Sequence, residues 1–208
     1  MREGLFSTLV AIRGPLAGVR FLDLYAGSGA VGLEALSRGA AHVLLVERDR
    51  RAVATIAANI KILELDGAST RASDVGRLVT EAPDRAYDIV FADPPYDLTP
   101  SRLNETLRGL RDNRWLAHDA DVVVERATRD GPVTWPDGYE ADRRRAYGEG
   151  TLWYARVPQA PRVAPADPAV RADAASVGPT SRGVASDQLD ATDVADNGSA
   201  DDAGGDQS

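Results

Sequence analysis

Cysteine is absent from the 208 residues, methionine occurs once, and Lys61 is the one lysine among 24 basic residues. Without cysteine there is no disulfide framework, no thiol nucleophile and no thiolate metal site. Two histidines, His42 and His118, give no cluster at ligand spacing, so no metal is expected. The scarcity of lysine reads as a GC-rich coding sequence, since only sites needing a planar donor fork demand arginine. No stretch approaches the roughly 18 apolar residues of a membrane span. Met1-Arg-Glu-Gly also lacks the charged-then-apolar layout of a signal peptide, so the cytoplasm is the expected location.

Aromatic residues are missing altogether from residue 158 onward, where Leu189 is the single leucine. That stretch carries nine aspartates against three arginines, a net of −6, so of the total charge of −8 only −2 falls on residues 1–157. The chain therefore divides into a domain, 1–157, and an acidic C-terminal tail, 158–208, expected to be disordered because it lacks the apolar surface to repay ordering. The low overall pI is then no argument against a polyanionic partner, because the acidity belongs mostly to the tail.

What the first 157 residues do contain is alternation. Val19 to Leu24 is a short apolar run ending in a glycine-rich turn, and Ala30 to Arg38 has helical spacing closed by Gly39. His42 to Glu47 is a second apolar strand, Arg51 to Leu65 a second helix, and Ala68-Ser69-Thr70 leads onward. Tyr87 to Ala92 is a strand, Leu103 to Leu116 a helix and Ala120 to Glu125 a strand. Tyr139 to Arg145 and Gly150 to Val157 flank a short turn, which points to an antiparallel pair at one edge. Apolar strands alternating with helices imply an α/β, Rossmann-like domain with a mostly parallel sheet, helices on both faces and ligands at the strands' carboxyl ends.

Two segments carry chemistry. Asp23-Leu-Tyr-Ala-Gly27-Ser-Gly29 lies between a strand and a helix, where glycines admit a ligand close to the backbone and a helix N-terminus offers free N–H groups. Gly27-Ser-Gly29-Ala-Val-Gly32 also matches the dinucleotide fingerprint, with Glu47 ending the next strand as a ribose ligand. Asp23 tilts the choice. A carboxylate beside this turn suits a cationic group and adds repulsion near a pyrophosphate; S-adenosylmethionine has a sulfonium, an amino group and a ribose, but no phosphate. The second segment is Asp93-Pro94-Pro95-Tyr96, directly after a strand. The prolines lack N–H donors and hold the chain extended, so the Asp93 carboxylate and the Pro94 carbonyl are acceptors fit to hold an amino group, while Tyr96 offers a stacking face for a base.

Together, Asp23-Leu-Tyr-Ala-Gly-Ser-Gly-Ala-Val-Gly-Leu-Glu-Ala-Leu-Ser-Arg-Gly-Ala, Val-Glu47 and Phe-Ala-Asp-Pro-Pro-Tyr96 resemble the RsmD family. These are bacterial methyltransferases acting on the N2 amine of one guanine in small-subunit (16S) ribosomal RNA. The similarity runs from about Arg2 to Val157. It implies a class I S-adenosylmethionine-dependent fold with a seven-stranded sheet. It places Asp23, Gly27 and Gly29 at the methionine end of the cofactor, with Tyr25, Ala26 and Ser28 completing that turn. Glu47 is implied at the ribose hydroxyls, Asp74 at the adenine amine, Arg48 and Val75 packed on the adenine, and Asp93, Pro94, Pro95 and Tyr96 as the catalytic motif. The implied partner is 16S ribosomal RNA or the assembling small subunit, and one chain acting as a monomer is expected.

Family members usually begin with a basic segment and an Arg-Pro-Thr-x-x-x-Arg-x-Arg-Glu-Ala-Leu-Phe stretch, of which this sequence carries only Met1-Arg-Glu-Gly-Leu-Phe6. The expectation is a start site assigned too late, since a GUG codon encodes either valine or an initiating methionine. Arg143-Arg144-Arg145 is expected where the edge hairpin turns, as a phosphate contact or a solvated face. Arg108, Arg111 and Arg114 read as a solvated helix face, His118 as part of a turn, Glu125 as a plain strand-end carboxylate, and the tryptophans as packing. The alternatives are another amine methyltransferase, acting on DNA adenine or protein glutamine, and a non-catalytic cofactor- or RNA-binding protein.

Truncation after Val157 should leave the melting temperature nearly unchanged and hold or raise RNA affinity, most visibly at low salt, because −6 of charge repels a polyanion. Loss of folding or of RNA binding on truncation would show that the boundary is misplaced.

Overall fold

A computed structural model describes residues 1–158. The tail expectation from residue 159 onward lies outside the described residues. In chain order the elements are α1 (Arg2–Arg13), β1 (Arg20–Leu24), α2 (Ala30–Ser37), β2 (His42–Glu47), α3 (Arg50–Leu63), β3 (Ala68–Ala72), α4 (Val75–Leu78), β4 (Tyr87–Ala92), α5 (Pro100–Asp112), β5 (Leu116–Ala127), a 3₁₀ turn (Thr128–Asp130), β6 (Glu140–Tyr147) and β7 (Gly150–Val157). The seven strands lie in the order β3-β2-β1-β4-β5-β7-β6. β3 to β5 are mutually parallel, and β7 runs antiparallel to both β5 and β6. The opposed strand is thus one place in from the edge, with β6 outside it.

Phe21, Leu22, Leu24, Val43, Leu45, Val46, Ile89, Val90, Val122, Val123 and Val124 have no solvent exposure, the mark of strands covered on both faces. One face packs against α1, α2 and α3 through Leu5, Phe6, Leu9, Leu33, Leu36 and Ile56. The other packs against α4 and α5 through Val75, Leu78, Leu103, Leu107 and Leu110. Right-handed crossovers account for this division, because the chain winds outward through β1, β2 and β3 and then returns to β4 and β5 on the other side. The order reverses between β1 and β4, and the crevice at their carboxyl ends is where such sheets bind ligands.

α3 starts at Asp49, whose Oδ1 accepts from the amides of Arg51 and Ala52 at 2.9 Å, and α5 at Thr99 with Pro100 in its first turn. Several boundaries differ from the sequence expectation, most consequentially that α5 ends at Asp112 and β5 begins at Leu116, so His118 is in a strand. Periodicity gives no element before Val19 and assigns neither β3 nor α4, yet α1 is part of the core. Its Arg13 donates from Nε to Asp121 Oδ2 (2.8 Å) and from Nη2 to the carbonyls of Asp88 (3.0 Å) and Asp119 (2.7 Å). This one guanidinium ties the helix to the starts of β4 and β5.

Asp121 is 5% exposed, so Arg13→Ala leaves a buried carboxylate without its cation. The expected cost is about 3 kcal/mol, read by urea denaturation; a loss below about 0.5 kcal/mol, the size of an ordinary surface substitution, would show that α1 is held by apolar contact alone.

Candidate active site

Four carboxylates collect at the carboxyl ends of neighbouring strands: Asp23 in β1, Glu47 ending β2, Asp93 after β4 and Glu125 near the end of β5. Asp23 is 2% exposed, and its Oδ2 accepts from the Gly32 amide at 2.8 Å. Burial pushes its pKa up to about 7; the Gly32 N–H opposes this, and the charges of Asp93 and Glu47 add to it. A Cβ on Gly32 would lie 2.8 Å from Leu45 Cδ2 and Val43 Cγ1 and 3.1 Å from the Asp23 carboxylate, so only glycine lets α2 sit this close to β1 and β2. Gly29 holds the left-handed conformation (φ 80°) as the N-cap of α2.

Glu47 bridges two loops. Its Oε2 accepts from the Gly27 amide at 2.9 Å and its Oε1 from the Asp49 amide at 2.8 Å. Tyr25, also left-handed at φ 61°, lies between Asp23 and Gly27, a strained position of the kind that clusters at binding sites. Asp74 caps α4, accepting from the Arg77 amide at 3.2 Å.

A cavity of about 820 Å³ opens over these ends, and Tyr25, Glu47, Arg48, Asp74, Val75, Asp93 and Pro95 line it. Asp23, Ala26, Gly27, Ser28 and Gly29 are not in its wall; Asp23 is beneath α2, and the glycines shape the turn beside it. A second cavity, about 280 Å³, is lined by Asp93, Pro94, Tyr96, Glu125, Arg126 and Arg129 among others. Asp93 therefore belongs to both cavities, and it is the point where their contents would meet. It is solvent-exposed at the cleft floor, yet the surrounding protein desolvates its carboxylate enough to raise its pKa.

The loop from Asp93 is held by its neighbours. The Leu98 amide donates to the Pro95 carbonyl at 2.9 Å, and Arg126 Nη1 donates to the Leu98 carbonyl at 3.1 Å. Arg126 also pairs with Asp130 at 3.1 Å. Tyr96 is left 83% exposed at the rim, an aromatic face with no core to pack on. Pattern reading assigned no role to Arg126 and treated Glu125 as an ordinary carboxylate; the signal was register, because Val124 pairs with Ala92 and the next residues are Glu125 and Asp93.

Arg143, Arg144 and Arg145 are not at the hairpin turn but within β6, on the exposed edge. Arg143 is paired with Asp142, and Arg144 lies 5.7 Å from the Trp153 ring centroid. Arg145 pairs across to Leu152, which pairs across to Glu125, so the arginines reach the level of the second cavity without lining it. Among the described residues no group of three or more His, Cys, Asp or Glu is arranged to hold a metal ion. Nor is any described helix long and apolar enough to cross a membrane.

The fold and this doubled cleft define the class: a class I methyltransferase with a Rossmann-like sheet. Residues 1–156 match the family model described as Conserved hypothetical protein 95. Ribosomal RNA small subunit methyltransferase D of Escherichia coli (strain K12) is 35% identical over 149 residues, covering 72% of each chain. The putative rRNA methyltransferase YlbH of Bacillus subtilis (strain 168) is 36% identical over 129 residues, covering 60% of this chain and 67% of that one. The solved structure of the putative methyltransferase yhhF from Escherichia coli superposes with a TM-score of 0.69 at 33% identity, covering 76% of this chain and 86% of that one. The chain belongs to this family, the RsmD family of methyltransferases.

Asp23 generates a pH prediction. Its folded pKa, about 7, stands above the unfolded value, so between about pH 4 and 7 the folded state binds more protons and stability falls as pH rises. Asp23→Asn keeps an acceptor for Gly32 and removes the charge. It should melt at or near the wild-type temperature at pH 5 and at least about 4 °C above it at pH 8; parallel melting profiles across that range would sink the assignment.

Proposed function

We propose that the chain methylates the exocyclic N2 amine of a guanine in small-subunit ribosomal RNA, using S-adenosylmethionine. The observation that carries this reading is the sharing of Asp93 by two cavities, one large and one the size of a base. The larger cavity suits the cofactor. Its floor adjoins three carboxylates whose mutual repulsion contributes to the raised pKa of Asp23, a field that favours a sulfonium and an ammonium and disfavours a pyrophosphate. Glu47 and Asp74 offer acceptors for ribose hydroxyls and an adenine amine, and Tyr25, Arg48 and Val75 offer surface to an adenine ring. Asp23, with Gly27 and Gly29, shapes the methionine end, its charge acting from beneath the turn.

When bound, the cofactor supplies an electrophilic methyl group. The chain's own residues position the acceptor: the Asp93 carboxylate and the Pro94 carbonyl accept the two amine protons, and Tyr96 stacks a base taken out of its strand. Asp93 then takes the proton that the alkylated nitrogen sheds, a role its raised pKa suits. The exposed arginines of β6, level with the smaller cavity, give the phosphate backbone a cationic track. The names of the relatives support ribosomal RNA as the substrate.

Asp93→Ala should bind S-adenosylmethionine within a few-fold of wild type while slowing tritiated methyl transfer to unmodified small subunits by about 10² or more. Near-normal turnover would remove Asp93 from the mechanism; a product other than N2-methylguanosine on nucleoside analysis would replace the substrate.

A further inference from the structure

We propose that Glu125 is the specificity-determining residue for the acceptor base, its carboxylate reading the N1–H and one N2–H of guanine as a pair. The inference rests on the guanine-N2 reading above and names the side chain that selects guanine within it.

Glu125 follows Val124, the last β5 residue paired to β4, as Asp93 follows Ala92, so the two carboxylates stand on adjacent strands at the same level. Neighbouring strands are about 4.8 Å apart, and both side chains line the smaller cavity. The Glu125 carboxylate lies over Gly150: a Cβ there would be 3.2 Å from its Oε1, so that glycine leaves the carboxylate its space. Among the described residues no hydrogen bond or ion pair engages Glu125, although Arg126 beside it is committed to Leu98 and Asp130. A half-buried carboxylate without a hydrogen-bonded partner is costly, and burial, with the charge of Asp93 and against the nearby Met1 ammonium, pushes its pKa up to about 7. The cost is offset if a ligand brings donors.

The Watson–Crick edge of guanine has three: N1–H and the two protons of N2. Three acceptors of the smaller cavity satisfy all of them, Glu125 taking N1–H and sharing one N2 proton with the Pro94 carbonyl while Asp93 takes the other, which leaves N2 facing the larger cavity. Adenine presents an N1 lone pair where guanine has a proton, so a carboxylate at that place repels it. A site built to pair with a donor rejects the analogue lacking it far more strongly than a shape-selecting pocket would.

The test uses 2-aminopurine, which keeps the 2-amino group and has an unprotonated N1. Wild-type enzyme is first given unmodified small subunits and tritiated cofactor to map the methylated nucleotide, and RNA is then made with guanine or 2-aminopurine at that place. Wild type should favour guanine by about 10- to 100-fold in single-turnover rate. Glu125→Gln can donate to N1 and still accept from N2, so it should bind the cofactor normally, lose guanine activity by a similar factor, and lose or reverse the preference. A wild-type preference below about three-fold overturns the role of Glu125 without any variant. So does an unchanged preference in Glu125→Gln. Absence of N2-methylguanosine in the mapping step instead overturns the parent reading, so the two failures are distinguishable.

Discussion

The hydrogen bond from the Gly32 amide to Asp23 sets the spacing on which the rest of the cleft depends. A carboxylate 2% exposed is placed under the first turn of α2, against a glycine that approaches two side chains more closely than any Cβ could. One amide does not offset the desolvation of a charge, and the elevated pKa of Asp23 records the imbalance. A purely structural acceptor would not need to be ionisable there. A cation bound in the cleft above, as the proposed cofactor would provide, would supply stabilisation that one amide does not.

That clamp acts together with a topological constraint. Parallel strands put every carboxyl end on one edge, so four acids separated by about a hundred residues of sequence are brought into one row by the sheet. The row has two functions because the sheet reverses its winding between β1 and β4. Glu47 at the end of β2 lines the large cavity, Glu125 in β5 lines the small one, and Asp93 stands at the junction, while Asp23 lies beneath the turn beside them. Backbone hydrogen bonding in the sheet fixes the separation of the two cavities, so the donor and acceptor compartments of the proposed reaction would need no hinge to be aligned.

β1, β2, β4 and β5 and the helices α2, α3 and α5 were legible because a parallel sheet buried on both faces leaves continuous apolar runs, whereas β3, mostly exposed, and the single turn of α4 leave no such run and were not assigned; Asp93-Pro94-Pro95-Tyr96 was legible because two prolines have few other uses after a strand. α1 was not. Its apolar positions, Leu5, Phe6 and Leu9, are few, its N-cap Met1 makes no side-chain bond, and the contact that fixes it reaches Asp121, 108 residues away. Glu125 and Arg126 were hidden for a similar reason: their importance comes from lateral register between β4 and β5, which no local window contains. Placing the three arginines at a turn rather than in β6 was an error of phase along a strand whose polar residues show no alternation.

The pairing of Asp93 with Glu125 also bears on why the motif carries an acid where a neutral amide would already accept a hydrogen bond. Desolvation raises the proton affinity of both carboxylates, and the charge of Asp93 adds to it at Glu125, so neither is held as a fixed anion against an incoming base. A base edge rich in donors relieves that repulsion, whereas an edge offering a lone pair increases it. The same pair can then accept the proton released as the nitrogen is alkylated, close to where it was held as a hydrogen bond. In the proposed reaction, selection of the base and disposal of its proton thus draw on one property, two partly desolvated acids held at a single level by the sheet.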